Sequence, residues 1–213
     1  MTYADMHREE EQIIAAQKKR FPFIKFTPPL ERDFSIYRHE RLLRRVPSIG
    51  VIGLIIFLIF AVLDVLTLPE PAYYITAAIR IFLICPLIGL AILASYQSWP
   101  INVYSYYCVV AYIIAGLGII AIIYTARIYG VHLPYDGVLL HLVFGYFLMG
   151  LPFSLATLSA CTVSAAYFLI EFHLNTPTDK LASNAFFIAT LNCMGCLGSY
   201  MQERSRRLLF LNE

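Results

Sequence analysis

Long stretches without a charged side chain constrain the fold of this chain more than any other feature. Residues 81–126 contain no Asp, Glu, Lys or Arg, and the same is true of residues 46–63, 137–170 and 181–202. A helix that crosses the hydrocarbon core of a bilayer needs about 20 predominantly apolar residues. Because lipid cannot hydrogen-bond a free backbone amide, each spanning segment must be helical. The sequence therefore predicts an all-α integral membrane protein, with the lipid bilayer as its surroundings.

Composition agrees with this class and excludes others. Hydrophobic residues make up 59% of the 213 residues and charged residues only 14%, whereas soluble domains carry about 25% charged residues. The formal net charge is only +2. Since nucleic-acid binding depends on a strongly basic surface, we expect no nucleic-acid partner.

Turn residues and returning charges divide the chain into three predicted parts. These are an N-terminal helical segment at 1–45, a six-span sensor domain at 46–200 and the start of a signalling helix at 201–213. We expect the six helices of the membrane bundle at about 46–67, 72–95, 103–124, 133–151, 153–172 and 181–200. Within the first part, the compositions of 5–20 and 33–45 favour amphipathic helices. The basic, aromatic segment 33–45 suits either a membrane surface or an exposed charged linker.

Lysine and arginine residues are distributed unequally between the two predicted sides of the membrane. Ten of the 16 lie in residues 1–45 and three follow Tyr200, whereas the loops of the other side contain only Arg127 and Lys180. Cytoplasmic segments of membrane proteins carry the excess of these residues. We therefore predict that both termini are cytoplasmic.

The C-terminal segment has the spacing of a coiled coil. Apolar and arginine side chains recur at alternating intervals of four and three residues, at Leu197, Met201, Arg204, Leu208 and Leu211. Such a seam is typical of a two-stranded coiled coil, so it predicts a homodimer through the C-terminal helix. Because the pattern is shorter than three heptads, an amphipathic helix at the lipid headgroups is the alternative.

Five ionisable residues in the predicted outer half of the bundle are the candidate ligand-binding site. Charged groups inside a membrane are costly and usually functional. Asp64 and Arg80 lie near the outer ends of consecutive spans, and their side chains lean toward each other. They form either a structural ion pair or a site in which Arg80 receives an anionic ligand. The other candidates are Asp136, His141 and Glu171, where His141 could instead hydrogen-bond a neighbouring helix.

The sequence contains no recognisable catalytic or cofactor motif. It has no phosphate-binding loop, nucleophile elbow, HExxH zinc motif or dinucleotide fingerprint, so we predict no enzymatic activity, cofactor or metal for this chain. A transmembrane haem usually needs paired axial ligands from facing helices, and His141 has no obvious partner at its depth. The Cys193-x-x-Cys196 pair lacks the second pair that a tetrahedral metal site requires.

Several short patterns are shared with one class of sensor. They are Pro-Pro-Leu-Glu-x-x-Phe at 28–34, the arginine-rich stretch 41–45, Phe60 with Asp64, Arg80, the stretch 146–153 ending in Leu-Pro-Phe, and Glu-Arg-Ser-Arg-Arg at 203–207. Together they resemble the N-terminal six-span sensor region of bacterial GGDEF-type diguanylate cyclases, and of related class III adenylate cyclases. The resemblance implies an inner-membrane dimer whose exit helices set the pairing of cytoplasmic cyclase domains. This chain departs from the pattern because it contains no GGDEF or cyclase domain.

These observations predict a sensory domain that detects a small or lipophilic ligand from the periplasmic side. The C-terminal helix would relay the signal to a cytoplasmic output. Three alternatives remain open at this point: a haem-binding membrane protein, a transporter, and a ligand-free membrane anchor or dimerisation module. The sequence gives transport little support, because an ion path needs polar groups near the bilayer centre.

Overall fold

The computed structural model describes residues 26–212, which form six helices joined by short loops. In chain order, α1 to α6 are Pro28–Thr67, Ala72–Tyr96, Ile101–Ile128, Asp136–Leu148, Phe153–His173 and Thr178–Phe210. No strand occurs among the described residues. The predicted all-α class is confirmed for this part of the chain.

Five of these helices are long and apolar enough to cross a membrane, as expected for a multi-pass membrane protein: α1, α2, α3, α5 and α6. Helix α4 is shorter than the predicted span at 133–151, and at 1.5 Å per residue it measures about 20 Å. The hydrocarbon core of a bilayer is about 30 Å thick. Pro134 precedes the helix, while Gly150 with a φ of 72° and Pro152 follow it. These residues limit α4 at both ends. Because α4 is too short to cross the hydrocarbon core as a straight helix, the count of six crossings stays a prediction.

Successive helices run antiparallel, so the loops gather at two ends of the bundle. The arginine-rich end contains 28–45, 97–100, 149–152 and 201–212. The opposite end contains 68–71, 129–135 and 174–177. At the arginine-rich end, Nε2 of His39 lies 3.1 Å from the carbonyl oxygen of Trp99.

Helix α1 joins two segments that the sequence separates. We expected a distinct helix at 33–45 before a span at 46–67, but one helix continues from Pro28 to Thr67 and includes Pro47. A proline inside a helix removes one backbone hydrogen bond, and membrane helices tolerate this when neighbouring groups satisfy the freed carbonyl. The other predicted segment, 5–20, lies outside the described residues.

Helix α3 lies at the centre of the bundle. Half of its most apolar stretch is buried, compared with a third or less in the other four long helices. Tyrosines extend from α3 to its neighbour: the hydroxyl of Tyr104 donates to the carbonyl of Ala91 at 3.1 Å, and that of Tyr107 donates to the carbonyl of Leu87 at 2.7 Å. These bonds attach α2 to α3 along the apolar interior.

Helices α2 and α4 each contain a π-helical segment, at Ile79–Ile84 and Phe144–Leu148. Such segments are often associated with functional sites, because the wider turn re-aims side chains. The segment in α2 contains Arg80, and the segment in α4 contains Tyr146. Both side chains are buried.

A close approach between α4 and α6 depends on a glycine. The ring of Tyr146 packs directly on Gly195, so closely that a methyl group there would overlap the ring. The Tyr146 hydroxyl then donates to Oδ1 of Asn192 at 2.9 Å, and Nδ2 of Asn192 donates to Oγ of Ser164 on α5 at 2.9 Å. Small residues and interhelical hydrogen bonds of this kind hold helices together in membranes.

Helix α6 continues past the predicted end of its span at residue 200 without a break. One side of this extension, with Glu203 and Arg207, is buried. On the other side, Leu197 and Met201 of the predicted coiled-coil seam are 61% and 59% exposed. These two residues of the seam therefore face away from the bundle, whereas Leu208 and Leu211 are half-buried.

We expect Gly195→Ala to destabilise the bundle, because the added methyl group must push the Tyr146 ring away from α6. Overpacking of this kind costs about 1–3 kcal/mol. Thermal unfolding in detergent measures the effect. Gly89→Ala is the matched control, because no heavy atom lies within 4 Å of the added carbon, and it should leave stability unchanged or raise it slightly. Equal effects of the two substitutions would contradict this account of the α4–α6 contact.

Candidate functional site

Asp64 and Arg80 form a buried, two-bond ion pair between α1 and α2. Nε of Arg80 donates to Oδ2 of Asp64 at 2.8 Å, and Nη2 donates to Oδ1 at 3.2 Å. The two residues are only 3% and 7% exposed. Phe60 covers the guanidinium from one face, with 5.4 Å between Cζ and the ring centroid. This geometry agrees with the structural ion pair that the sequence left open.

A cavity of about 460 Å³ lies between α1, α2, α3 and α4. Four of the five predicted site residues line it: Asp64, Arg80, Asp136 and His141. Most of the remaining wall is apolar and includes Gly53, Ile88 and Phe144. Small-molecule sites are commonly cavities of about 300–1,000 Å³ with apolar walls and a few polar groups. The volume and lining of this cavity therefore suit an amphiphilic small molecule.

The charges around the cavity do not favour an anion. The guanidinium of Arg80 is already paired with the carboxylate of Asp64. Asp136 begins α4, is exposed, and adds a negative charge at the rim of the cavity. With His141 neutral, these four residues sum to one negative charge. A neutral or cationic polar group suits the cavity better than the anion considered from the sequence.

His141 is held against α3 by two hydrogen bonds and a ring contact. Its Nε2 lies 3.0 Å from the carbonyl oxygen of Tyr112, and the hydroxyl of Tyr112 donates to the carbonyl of His141 at 3.1 Å. The two rings stack at 4.1 Å with an angle of 12°. Because a carbonyl only accepts, Nε2 carries the proton in this arrangement. The geometry fits the alternative in which His141 hydrogen-bonds a neighbouring helix.

Glu171 lies in a different place from the other four predicted site residues. It does not line the cavity, and it is fully buried beside Arg127, whose Nη2 donates to both carboxylate oxygens at 3.3 Å. The hydroxyl of Thr176 also donates to Glu171. Grouping Glu171 with the cavity residues is therefore not supported by their positions.

The sequence missed this second ion pair because of one helix boundary. We expected the third span to end at residue 124, which would place Arg127 in a loop. Instead α3 continues to Ile128, and this extension brings the guanidinium against the end of α5. The Nε of Arg127 is buried without a hydrogen-bond partner among the described residues. The pair fastens α3 to α5 at the opposite end of the bundle.

A third charged cluster at the arginine-rich end joins α6 to α1. Arg207 donates two hydrogen bonds to Glu31, at 2.7 and 2.8 Å, and its Nη2 donates to Glu203 at 3.0 Å. Its Cζ lies 4.3 Å from the ring centroid of Phe34. The backbone N–H of Phe153 donates to Glu203 at 2.6 Å. The cluster therefore connects α1, α6 and the start of α5.

Part of this third cluster could have been found in the sequence. Glu203 and Arg207 are four residues apart, which places them on one face of a helix. Their partner Glu31 is 176 residues away from Arg207 in the chain. No local pattern indicates that choice of partner.

The described residues contain no group of three or more His, Cys, Asp or Glu side chains that could hold a metal ion. Their five cysteines are free, and Cys193 of the Cys-x-x-Cys pair is exposed. The geometry thus gives no chemical role to that pair.

Replacing only one member of the Asp64–Arg80 pair should be more harmful than replacing both. Asp64→Leu leaves the Arg80 charge buried without its partner, and such a loss costs about 3–5 kcal/mol. The double variant Asp64→Leu/Arg80→Met removes both charges and should unfold closer to the wild-type temperature than either single variant. Thermal unfolding in detergent measures all four proteins. Simply additive losses would contradict a coupled pair.

Comparisons with known proteins do not assign the chain to a family. No protein-family model matches it, and no curated protein matches it. The resemblance to cyclase sensor regions accordingly stays a prediction from short sequence patterns.

Proposed function

We propose that this chain is a sensor domain of the bacterial inner membrane that binds a small amphiphilic molecule between α1, α2, α3 and α4. The observation that carries the proposal is the cavity of about 460 Å³ that Asp64, Arg80, Asp136 and His141 share. With both termini cytoplasmic, the polar rim faces the periplasmic half of the membrane. The apolar walls continue toward the bilayer centre.

The ligand should combine an apolar body with a neutral or cationic polar group. Apolar walls favour the body because its burial removes apolar surface from water. The exposed carboxylate of Asp136 at the rim favours a hydrogen-bond donor or a cation. Medium-chain alcohols and alkylamines have this chemistry, and matched carboxylic acids do not.

Contacts at the arginine-rich end provide a route from the cavity to α6. The cavity is bounded by α1 on one side and by α4 on the other. Helix α1 holds α6 through Glu31 and Arg207, and the turn after α4 holds it through Gly150, whose carbonyl accepts from Nη1 of Arg206 at 3.1 Å. A ligand that changes the spacing of α1 and α4 therefore acts on both attachments of α6. A two-state shift of this kind requires only a few kcal/mol of differential binding.

The output of the proposed sensor would be the way in which the α6 helices of two chains pair in a homodimer. The seam of α6 starts at Leu197 and Met201, which are 61% and 59% exposed and face away from the bundle. A change in the tilt or rotation of α6 would alter how two such seams pair. A nucleotide cyclase is the output that the resemblance of the sequence favours.

Partly filling the cavity should weaken ligand binding without unfolding the protein. A carbon added at Gly53 would meet Ile88 and Phe144 at an ordinary van der Waals distance of 3.9 Å, and all three residues line the cavity. We therefore expect the longer side chain of Gly53→Leu to extend into the cavity. In nanodiscs, C8–C12 alcohols and alkylamines should raise the unfolding temperature of the wild-type protein more than the matched acids do. We expect Gly53→Leu to weaken this effect by about tenfold in ligand concentration, or about 1.4 kcal/mol.

Gly89→Leu is the matched control, because it adds the same side chain where no heavy atom lies within 4 Å. It should respond to the compounds as the wild-type protein does. If Gly53→Leu and the wild-type protein respond equally, the cavity is not the binding site. If no compound stabilises the wild-type protein, the ligand-free anchor becomes the better interpretation.

Disulfide cross-linking can detect the proposed homodimer. In a variant without the five native cysteines, Met201→Cys should form an interchain disulfide in membranes, because Met201 lies on the seam and is 59% exposed. Leu209→Cys is a control of similar exposure, at 50%, that lies roughly a quarter turn around the helix. Equal cross-linking at both positions would indicate random collision and contradict pairing through the seam.

A further inference from the structure

A groove of about 530 Å³ at the arginine-rich end lies between α1, α6 and the turn that joins α4 to α5. Its lining includes five guanidinium groups, those of Arg38, Arg41, Arg44, Arg45 and Arg206. Among the residues that the structure describes, no carboxylate lines this groove. The groove therefore concentrates positive charge on a small concave surface.

Two of these guanidiniums converge on one point. Nη1 of Arg45 and both Nη atoms of Arg206 lie 3.7 Å from the position that a Cβ of Gly150 would take. Arg206 is held there by its hydrogen bonds to the carbonyl of Gly150 at 3.1 Å and to Oε1 of Gln202 at 3.0 Å. Like charges repel, so two side chains from different helices stay this close at least cost when an anion lies between them.

The carboxylates of Glu203 and Glu31 offset only part of this charge: both act on Arg38, and Glu203 also acts on Arg206. Glu203 accepts from Arg207 and from the backbone of Phe153, and Glu31 accepts from Arg207. Arg206 lies beyond the predicted end of its span, and burial, followed by the positive charge of Arg45, lowers its pKa from the usual value. Arg38, Arg44, Arg45 and Arg206 with Arg207 carry more charge than these two carboxylates offset, so the local potential stays positive.

The groove lies where a lipid headgroup would be. Arg45 is the last charged residue before the uncharged stretch 46–63, so it marks the boundary between headgroups and hydrocarbon. Directly beyond it, the outer face of α1 carries half-exposed aliphatic side chains at Ile52, Ile55 and Ile59. A phosphate in the groove would therefore have an apolar helix surface next to it, along which acyl chains can lie.

We propose that this groove binds the phosphate of an anionic phospholipid from the adjacent leaflet. Guanidinium groups bind phosphate oxygens through two parallel hydrogen bonds and suit this anion better than other side chains. Basic pockets between membrane helices on the cytoplasmic side bind anionic headgroups in this way. Phe34, Tyr37 and Leu42 form the apolar part of the groove, and Tyr37, the most exposed of the three, would contact the glycerol and first methylene groups. The bound lipid would hold α1 and α6 together at the place where the signal leaves the bundle.

Native mass spectrometry of the full chain, released from micelles that contain defined lipids, tests this assignment. The wild-type protein should retain phosphatidylglycerol or cardiolipin in preference to phosphatidylcholine. Arg45→Gln/Arg206→Gln should reduce that retention by about 10- to 30-fold, since each arginine near an anionic surface contributes about 1 kcal/mol. Arg44→Gln/Arg45→Gln keeps the hydrogen bond between Arg206 and Gly150 and should also reduce the retention of anionic lipid. This second double variant therefore tests the groove even if the first one folds poorly.

Arg32→Gln/Lys180→Gln is the charge-matched control, because both residues are exposed and neither lines the groove; it should retain lipid as the wild-type protein does. A parallel series with inorganic phosphate and pyrophosphate separates a lipid headgroup from a soluble anion. Any of three results would overturn the proposal: equal losses of lipid in all three double variants, no preference for anionic lipid, or retention of pyrophosphate but not of lipid.

The proposal requires membrane insertion but no ligand in the α1–α4 cavity. Gly53→Leu should therefore leave lipid retention unchanged, so failure here is distinguishable from failure of the sensor.

Discussion

Burying a charge in an apolar bundle costs several kcal/mol unless an opposite charge accompanies it. In the described part of this chain, ion pairs between different helices meet that requirement at three places: Asp64 with Arg80, Arg127 with Glu171, and Glu31 with Arg207. They join α1 to α2, α3 to α5 and α1 to α6. Each partner thus restricts where the other helix can lie. The arrangement of these five helices depends on the three pairs, and the pair of Asp64 with Arg80 lies in the wall of the cavity.

Helix α1 takes part in two of the three pairs, one near each of its ends. It is 40 residues long and continues through Pro47, so its length along the helix is about 60 Å. Asp64 at one end lines the cavity, and Glu31 at the other end holds Arg207 of α6. The cavity lies along residues 46–67 of this helix, and the contact with α6 lies near its other end, so a displacement of α1 at the cavity also acts on that contact. The arginine groove lies beside the same contact with α6, so a bound lipid there would set the stiffness of the connection.

The sequence predicted the features that depend on neighbouring residues and missed those that depend on distant ones. Uncharged stretches located the apolar helices, and the lean of side chains on consecutive helices placed Arg80 beside Asp64. The pair of Arg127 with Glu171 was missed because α3 continues to Ile128, and helix ends are weakly encoded in apolar sequence. The choice of Glu31 as the partner of Arg207 depends on the three-dimensional packing alone. The cavity is likewise a property of packing, although four of its polar residues were found individually.

Sided labelling of single cysteines tests the central claim most directly, which is that the chain crosses the membrane with its arginine-rich end in the cytoplasm. His132 and Gln97 are exposed residues in loops at the two ends of the bundle. In a cysteine-free background, a membrane-impermeant maleimide added to intact spheroplasts should label His132→Cys. It should label Gln97→Cys only after the membrane is permeabilised. Labelling of both positions in intact spheroplasts, or the reverse pattern, would contradict the account.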